Sequence, residues 1–198
     1  MGPAELPDPI EVAASIARTL EDLGVRYLIG GSLASSVHGE PRSTNDVDLL
    51  VDFRARHIGP FVEAIRADYY VSEQAIREAV GSSHPFNVIH MDAAVKVDLF
   101  LAGNDPFDLE RLEVRQRLLL PTEPETPVYV DTAEHSVLRK LEWYRRGGEV
   151  SERQWRDVVA ILRIQGPRLD RSRMSRWAPR LGISDLLERA SQEAAEAG

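Results

Sequence analysis

The chain has 198 residues, of which 43% are hydrophobic and 28% are charged, and its formal net charge is −8. These values are typical of a globular protein with one good core, or with a core domain and a small helical appendage. Cysteine is absent, which excludes disulfides, zinc–thiolate sites and thiol nucleophiles.

The negative net charge argues against broad nonspecific binding of nucleic acids, but the charge is spread unevenly. Arginines are frequent between Arg139 and Arg189, and this region could form a local basic face for RNA or phosphate. The alternative is a solvated helical surface of mixed charge. Only two of the 24 basic residues are lysines, Lys96 and Lys140. A lysine ammonium is a compact point charge, unlike the planar guanidinium, so both lysines are candidate functional residues.

The start of the chain carries acids and prolines instead of a basic start and an apolar run, so we expect no signal peptide. The apolar stretches are far shorter than the ~20 residues that span a bilayer. We therefore expect a cytoplasmic protein without a membrane partner.

The first part of the chain alternates between helix and strand patterns. Asp8 and Pro9 are typical of a helix start, and Gly24 of its end. Strands are predicted over residues 25–29, 45–51, 86–90, 94–101, 117–120 and 128–130, and helices over residues 9–23, 32–37, 56–67, 72–80 and 105–112.

After Asp131 every segment has helical periodicity. Helices are predicted over residues 132–146, 151–164, 170–181 and 184–194. We therefore predict an α+β fold in which residues 1–130 form a mixed core domain. Residues 131–198 are predicted to form a helical region packed on that core.

The most informative polar pattern lies in the second predicted strand. Residues two apart on a strand point to the same face, so Asp46 and Asp48 project side by side. Two such carboxylates repel one another unless a cation sits between them, and oxygen donors of this kind suit Mg²⁺. Asp98, on a later predicted strand, supplies a third carboxylate, so the three could hold two metal ions about 4 Å apart. Asp52 lies at the strand end, and we interpret it as a surface residue.

A glycine pair precedes these acids. Gly30 and Gly31 allow the backbone to approach a ligand closely, and Ser32 begins a predicted helix whose N–H groups attract phosphate. A plain strand–turn–helix with a serine cap is the simpler interpretation of this segment alone. The ordered combination of the glycines, the helix, the paired acids and the later aspartate is far more specific than any one motif.

Together these residues resemble a known family. The segment GGSLASSVHGEPRSTNDVDLLVD, residues 30–52, resembles the opening motif of the DNA polymerase β-like nucleotidyltransferase superfamily. Within it, the likeness is greatest to the small bacterial AbiEii-like proteins, which include toxins of abortive-infection systems. The resemblance is specific over residues 27–52, fair over 95–101 and looser over 135–162. It implies a mixed twisted sheet flanked by helices, binding of NTP with Mg²⁺ or Mn²⁺, and nucleotidyl transfer to a hydroxyl.

The resemblance also implies roles for single residues. Gly30, Gly31 and Ser32 would cradle the triphosphate, while Asp46, Asp48 and Asp98 would be the catalytic, metal-binding carboxylates. Asp98 would orient or deprotonate the attacking hydroxyl. The remaining candidates for nucleotide binding are the cations Arg42, Lys96 and Lys140.

Each of these cations has an alternative. Arg42 belongs to an Arg-x-Thr-x-Asp pattern seen in relatives, but a surface loop arginine would look the same. Lys96 would bind phosphate or pair with an acid on its strand. Lys140 matches a helix lysine that faces nucleotide phosphates, and its alternative is a solvated helix residue. Asp157 resembles the aspartate of a C-terminal Asp-x-x-Asp motif, although Gln154 stands where the first aspartate is expected.

Two functions follow as hypotheses. The first is a nucleotidyltransferase that moves NMP from an NTP to a tRNA 3′ end, a protein or a small molecule, with a role as the toxin of a toxin–antitoxin pair. The second is a catalytically silent module that has the same fold and binds a nucleotide or a partner. Trp143, Tyr144 and Trp155 are predicted to pack between helices rather than to stack on bases, and His38 is predicted to cap a short helix.

Overall fold

The computed structural model describes residues 7–196. Residues 1–6, on which the expectation of no signal peptide mainly rests, lie outside the described residues, as do residues 197–198. The chain divides into two compact units. Of the described residues, the first unit contains 7–33 together with Thr44–Val130, and the second contains Ala34–Ser43 and 131–196.

The first unit contains a seven-stranded mixed sheet in the order β3-β4-β5-β2-β1-β7-β6. Strand β2 pairs with β5, and β1 with β7, in parallel, whereas the other neighbours are antiparallel. The strands are β1 Tyr27–Ile29, β2 Asp46–Val51, β3 Tyr69–Tyr70, β4 Phe86–His90, β5 Val95–Leu101, β6 Gln116–Leu120 and β7 Thr126–Val130. Strand β3 was not predicted, because two residues are too few to show a period.

The helices of this unit lie where the sequence predicts them. They are α1 Pro9–Asp22, α3 Ile58–Ile65 after a 3₁₀ turn at Ala55–His57, α4 Glu73–Ser82 and α5 Pro106–Val114. Helix α2, Gly31–His38, begins in the first unit and ends in the second.

Helix α1 shows why its predicted start is correct. The Asp8 carboxylate accepts hydrogen bonds from the N–H groups of Ile10 and Glu11, at 2.8 and 2.9 Å. The Glu11 carboxylate in turn accepts the Asp8 N–H at 3.3 Å, which completes a capping box.

The alternation along β2 gives the sheet two different faces. Val47, Leu49 and Val51 are fully buried on one face, and α1 packs against strands β2, β5 and β7. On the other face Leu28 and Leu50 cluster with Leu112 of α5. Because residues two apart share a face, Asp46 and Asp48 lie on the same side as Leu50, at the beginning of the strand.

The second unit is helical. Besides the end of α2 it contains α6 Ala133–Arg146, α7 Glu152–Gln165, a 3₁₀ turn at Gly166–Arg168, α8 Arg171–Trp177 and α9 Ser184–Glu196. Helix α8 is shorter than predicted, and the other three long helices match. The predicted α+β fold, a mixed sheet flanked by helices and followed by a helical C-terminal half, is confirmed. Within residues 7–196, no helix combines the length and the apolar character that crossing a bilayer requires.

Candidate active site

The glycine pair and the acidic strand are in direct contact. The Gly30 N–H donates to the Asp48 carbonyl at 2.9 Å, which extends the pairing of β1 with β2. Gly31 has φ +54°, and a Cβ added to it would lie 1.8 Å from Asp48 Oδ2. Only glycine therefore allows the Asp48 carboxylate to occupy this position beside the start of α2.

The register of the parallel strands brings four charged residues together. Asp46 on β2 is the partner of Lys96 on β5, and Asp48 is the partner of Asp98. Paired strands lie about 4.8 Å apart, and residues two apart on each strand share a face. The four side chains therefore form a two-by-two array on one face of the sheet, with three carboxylates and one ammonium.

Lys96 is paired with an acid of this array. Its Nζ lies 2.7 Å from Asp98 Oδ2, and the side chain is 42% exposed. The hydrogen bond to Asp98 raises the pKa of the Lys96 ammonium above its usual range, while its slight burial opposes the shift. The carboxylates of Asp46 and Asp48 add to the increase. The array therefore has a negative potential that favours a cation.

The acidic array is only partly open to solvent. Asp46 is exposed, while Asp48 and Asp98 are half-buried. Thr44, the threonine of the Arg-x-Thr-x-Asp pattern, accepts the Asp46 N–H at 3.3 Å and so fixes the beginning of β2. Asp52, at the other end of the strand, is bound by Arg26 and Arg54, at 2.9 and 3.2 Å.

The donor set fits a hard cation in part. Asp46 and Asp48 supply adjacent carboxylate oxygens, which suit Mg²⁺, whereas Asp98 is turned to the Lys96 ammonium. Among the described residues, no three His, Asp or Glu side chains are gathered closely enough to hold a metal ion. The three predicted metal ligands thus share a face of the sheet, but their carboxylates do not converge on one point.

The other two predicted nucleotide-binding cations meet at a buried acid of the second unit. Arg42 Nε lies 3.0 Å from Asp157 Oδ1, and its Nη2 lies 2.9 Å from Oδ2. Lys140 Nζ lies 2.8 Å from the same Oδ2, and Asp157 is only 8% exposed. Burial alone would raise the pKa of Asp157, but the hydrogen bonds from Arg42 and Lys140 outweigh it and hold that pKa below its usual value.

The sequence does not predict this three-membered cluster. It suggests that Arg42 binds phosphate or lies on the surface, and that Asp157 belongs to a C-terminal Asp-x-x-Asp motif. A signal was available, since Asp157 precedes Val158 and lies four residues before Ile161, both fully buried in α7. An acid on the buried face of a helix requires a cationic partner.

A buried arginine beside the glycine pair was also missed. Arg111 of α5 is 6% exposed and pairs with Asp108 at 2.7 Å. Its Nη2 lies 3.5 Å from the position that a Cβ on Gly30 would take. The sequence offers no signal for this, because an arginine on an amphipathic helix is normally solvated.

The aromatic and histidine predictions have mixed outcomes. Tyr144 is buried and its ring centroid lies 5.3 Å from that of Trp155, as packing between helices requires. Trp143 is 45% exposed, so its predicted place in the core is wrong: it lies on the outer side of α6 under Arg146. His38 ends α2, is buried, and its Nε2 lies 2.6 Å from the Asp131 carbonyl oxygen.

Comparison with known proteins supports the fold. No protein-family profile matches the chain, and no curated protein matches it. An antigenic nucleotidyltransferase-like protein from Paracoccidioides brasiliensis has a similar structure, with a TM-score of 0.57, 18% identity and 95% of each chain covered. The antibiotic-resistance factor ANT(2'')-Ia has a TM-score of 0.52 and 11% identity, over 93% of this chain and 97% of its own. The chain therefore has the fold of nucleotidyltransferase-like proteins.

Proposed function

We propose that the protein is a metal-dependent nucleotidyltransferase that moves NMP from an NTP to a hydroxyl acceptor and releases pyrophosphate. The observation that carries this proposal is the contact between Gly31 and Asp48. It joins a glycine turn at a helix start to an acidic strand, and this juxtaposition suits a triphosphate beside a metal-binding carboxylate.

The glycine turn is the part of the site that receives phosphate. Helix α2 begins at Gly31, and its positive end favours an anion at the backbone of Gly31 and Ser32. Gly30 has no side chain to obstruct the approach, and Lys96 adds a positive charge on the adjacent sheet face.

Asp46 and Asp48 are the residues that would hold Mg²⁺ or Mn²⁺. The bound ion would stabilise the negative charge that develops on the phosphoryl oxygens. Asp98 then orients the acceptor and takes the proton of its hydroxyl as that oxygen attacks the α-phosphorus and pyrophosphate leaves. Positioning and electrostatic stabilisation account for most of the rate enhancement, since the protein has little covalent chemistry to perform.

The finer assignments stay predictions from the sequence. They include nucleotide contacts of Arg42 and Lys140, the AbiEii-like subgroup, an antitoxin partner, and RNA such as a tRNA 3′ end or a protein as the acceptor. Because a protein with the same fold is an antibiotic-resistance factor, small molecules belong among the acceptors tested.

The test is labelling with α-³²P NTPs, Mg²⁺ and a lysate that supplies RNA, protein and small-molecule acceptors. Wild type should transfer label to one of these fractions, and Asp46→Asn with Asp48→Asn should reduce it to background. Asp52→Asn is the matched control, because Asp52 directly follows β2 and pairs with Arg26 and Arg54; it should keep the activity.

Label transfer that survives the double substitution would show that the mechanism is wrong. Calorimetry with Mg²⁺ and each NTP identifies the alternative. Nucleotide binding without any label transfer would indicate the catalytically silent module.

A further inference from the structure

We propose that this site binds one divalent metal ion, at Asp46 and Asp48, and that the Lys96 ammonium takes the place of a second ion at Asp98. This inference rests on the proposed function and refines it, since the three carboxylates by themselves suggest two metal ions. It identifies Lys96 as a built-in counter-cation of the site.

The geometry of the array places Lys96 beside Asp98. Lys96 is the register partner of Asp46 and lies two residues before Asp98 on β5, so its side chain is on the acidic face. Its Nζ contacts Asp98 Oδ2 at 2.7 Å, which is the distance of a charge-assisted hydrogen bond. The carboxylate that a second metal ion would need is therefore already bound to a cation.

Charge repulsion opposes a second ion at Asp98. A divalent ion there would lie beside the Lys96 ammonium, and like charges at contact distance repel strongly when partly removed from water.

Lysine is rare in this chain. Of its 24 basic residues 22 are arginines, yet a lysine stands on the acidic face. An ammonium is a compact point charge that pairs with one carboxylate oxygen, whereas a guanidinium is a broad planar fork. The half-exposed Lys96 side chain can also be replaced without opening a cavity, so its variants are expected to fold.

The experiment counts metal ions directly. Mn²⁺ binding is measured by electron paramagnetic resonance and calorimetry, with and without a non-hydrolysable NTP analogue, for wild type, Lys96→Gln and Lys96→Arg. Wild type should bind one Mn²⁺ per chain without the analogue and one per complex with it, the ion that the analogue carries being included in the count. Lys96→Gln should bind a second ion, or bind the first roughly tenfold more tightly.

Two controls isolate the charge of Lys96. Lys96→Arg keeps a positive charge and should retain a stoichiometry of one. Arg26→Gln removes one of the two cations that pair with Asp52, directly after the far end of β2, and should change neither stoichiometry nor affinity. Circular dichroism verifies that each variant is folded.

Two ions in wild type, unchanged by Lys96→Gln, would overturn the inference while leaving the proposed function intact. An absence of Mn²⁺ and Mg²⁺ binding by wild type in both conditions would overturn both. The two failures are therefore distinguishable.

Discussion

Substitution of Gly31 by alanine tests the contact on which the candidate site depends. Gly31 has φ +54°, a conformation that alanine adopts at a cost of about 1–2 kcal/mol. The added Cβ would also meet three atoms of Asp48, with Oδ2 at 1.8 Å, Cγ at 2.6 Å and Cβ at 2.8 Å. Rotation about χ1 moves the first two atoms but not Asp48 Cβ, so the backbone of β2 or of the turn must shift.

Overpacking of this kind typically costs about 1–3 kcal/mol. Together with the backbone term, Gly31→Ala should lower the free energy of unfolding by about 2–5 kcal/mol. The displaced Asp48 carboxylate should also weaken Mn²⁺ binding, so two independent readouts change together.

Urea unfolding followed by circular dichroism measures the loss in free energy of unfolding. Substitutions of two other glycines serve as controls. Gly24 has φ +64° and no atom within 4 Å of an added Cβ, so Gly24→Ala reports the backbone term alone. At Gly30 the nearest atom, Arg111 Nη2, would be at 3.5 Å, an ordinary contact, so Gly30→Ala should cost less than Gly31→Ala. A loss for Gly31→Ala no larger than that for Gly24→Ala would refute the close approach of Gly31 to Asp48.

Three further substitutions test other parts of the structure. Asp8→Ala removes the capping box of α1 and should cost about 1 kcal/mol in urea unfolding; no change would show that α1 does not need its cap. Tyr27→Phe removes a hydroxyl that donates to Glu21 at 2.8 Å and should cost about 1–2 kcal/mol, with a loss below 0.3 kcal/mol contradicting this hydrogen bond. Asp157→Asn leaves two cations without their buried carboxylate and should cost about 2–3 kcal/mol at pH 7, less than for a fully buried pair because both cations are partly exposed. The pKa of Asp157 is lowered in the folded state. The stability that the Asp157 carboxylate contributes is therefore fully present above its pKa in the unfolded chain, near 4, and is lost as pH falls through its pKa in the folded protein. The free energy of unfolding, measured from pH 7 to pH 3, should therefore differ less between wild type and Asp157→Asn below about pH 4. A difference that stays constant with pH would exclude this ion pair as the source of the stability difference.

The sequence determines the local features of this protein. The period of two along β2 puts Asp46 and Asp48 on one face and Val47 and Leu49 on the other, whatever the strand pairs with. The pattern of Asp8, Pro9 and Glu11 likewise specifies the start of α1, because a capping box involves only residues within one helical turn. Residues close together in the chain determine these features, so the period along β2 and the capping pattern of α1 can be read directly from the sequence.

Tertiary structure decides which of these pieces touch. Gly31 meets Asp48 because β1 pairs with β2 in antiparallel register, and Lys96 stands beside Asp46 because β5 pairs with β2 in parallel register. A shift of one residue in either register would place these side chains on opposite faces. The pairing is determined by burial of whole strand faces, which no local period specifies.

The cluster around Asp157 shows the same limit. Asp157 binds Lys140, 17 residues away, and Arg42, 115 residues away. The sequence suggests that each cation is functional, but the partner that neutralises both depends on how α6, α7 and the segment after α2 pack within one unit. Residue type and local period thus determined the candidate groups, and long-range packing alone decided their partners, because the cost of burying a charge is offset only by the neighbour that the fold supplies.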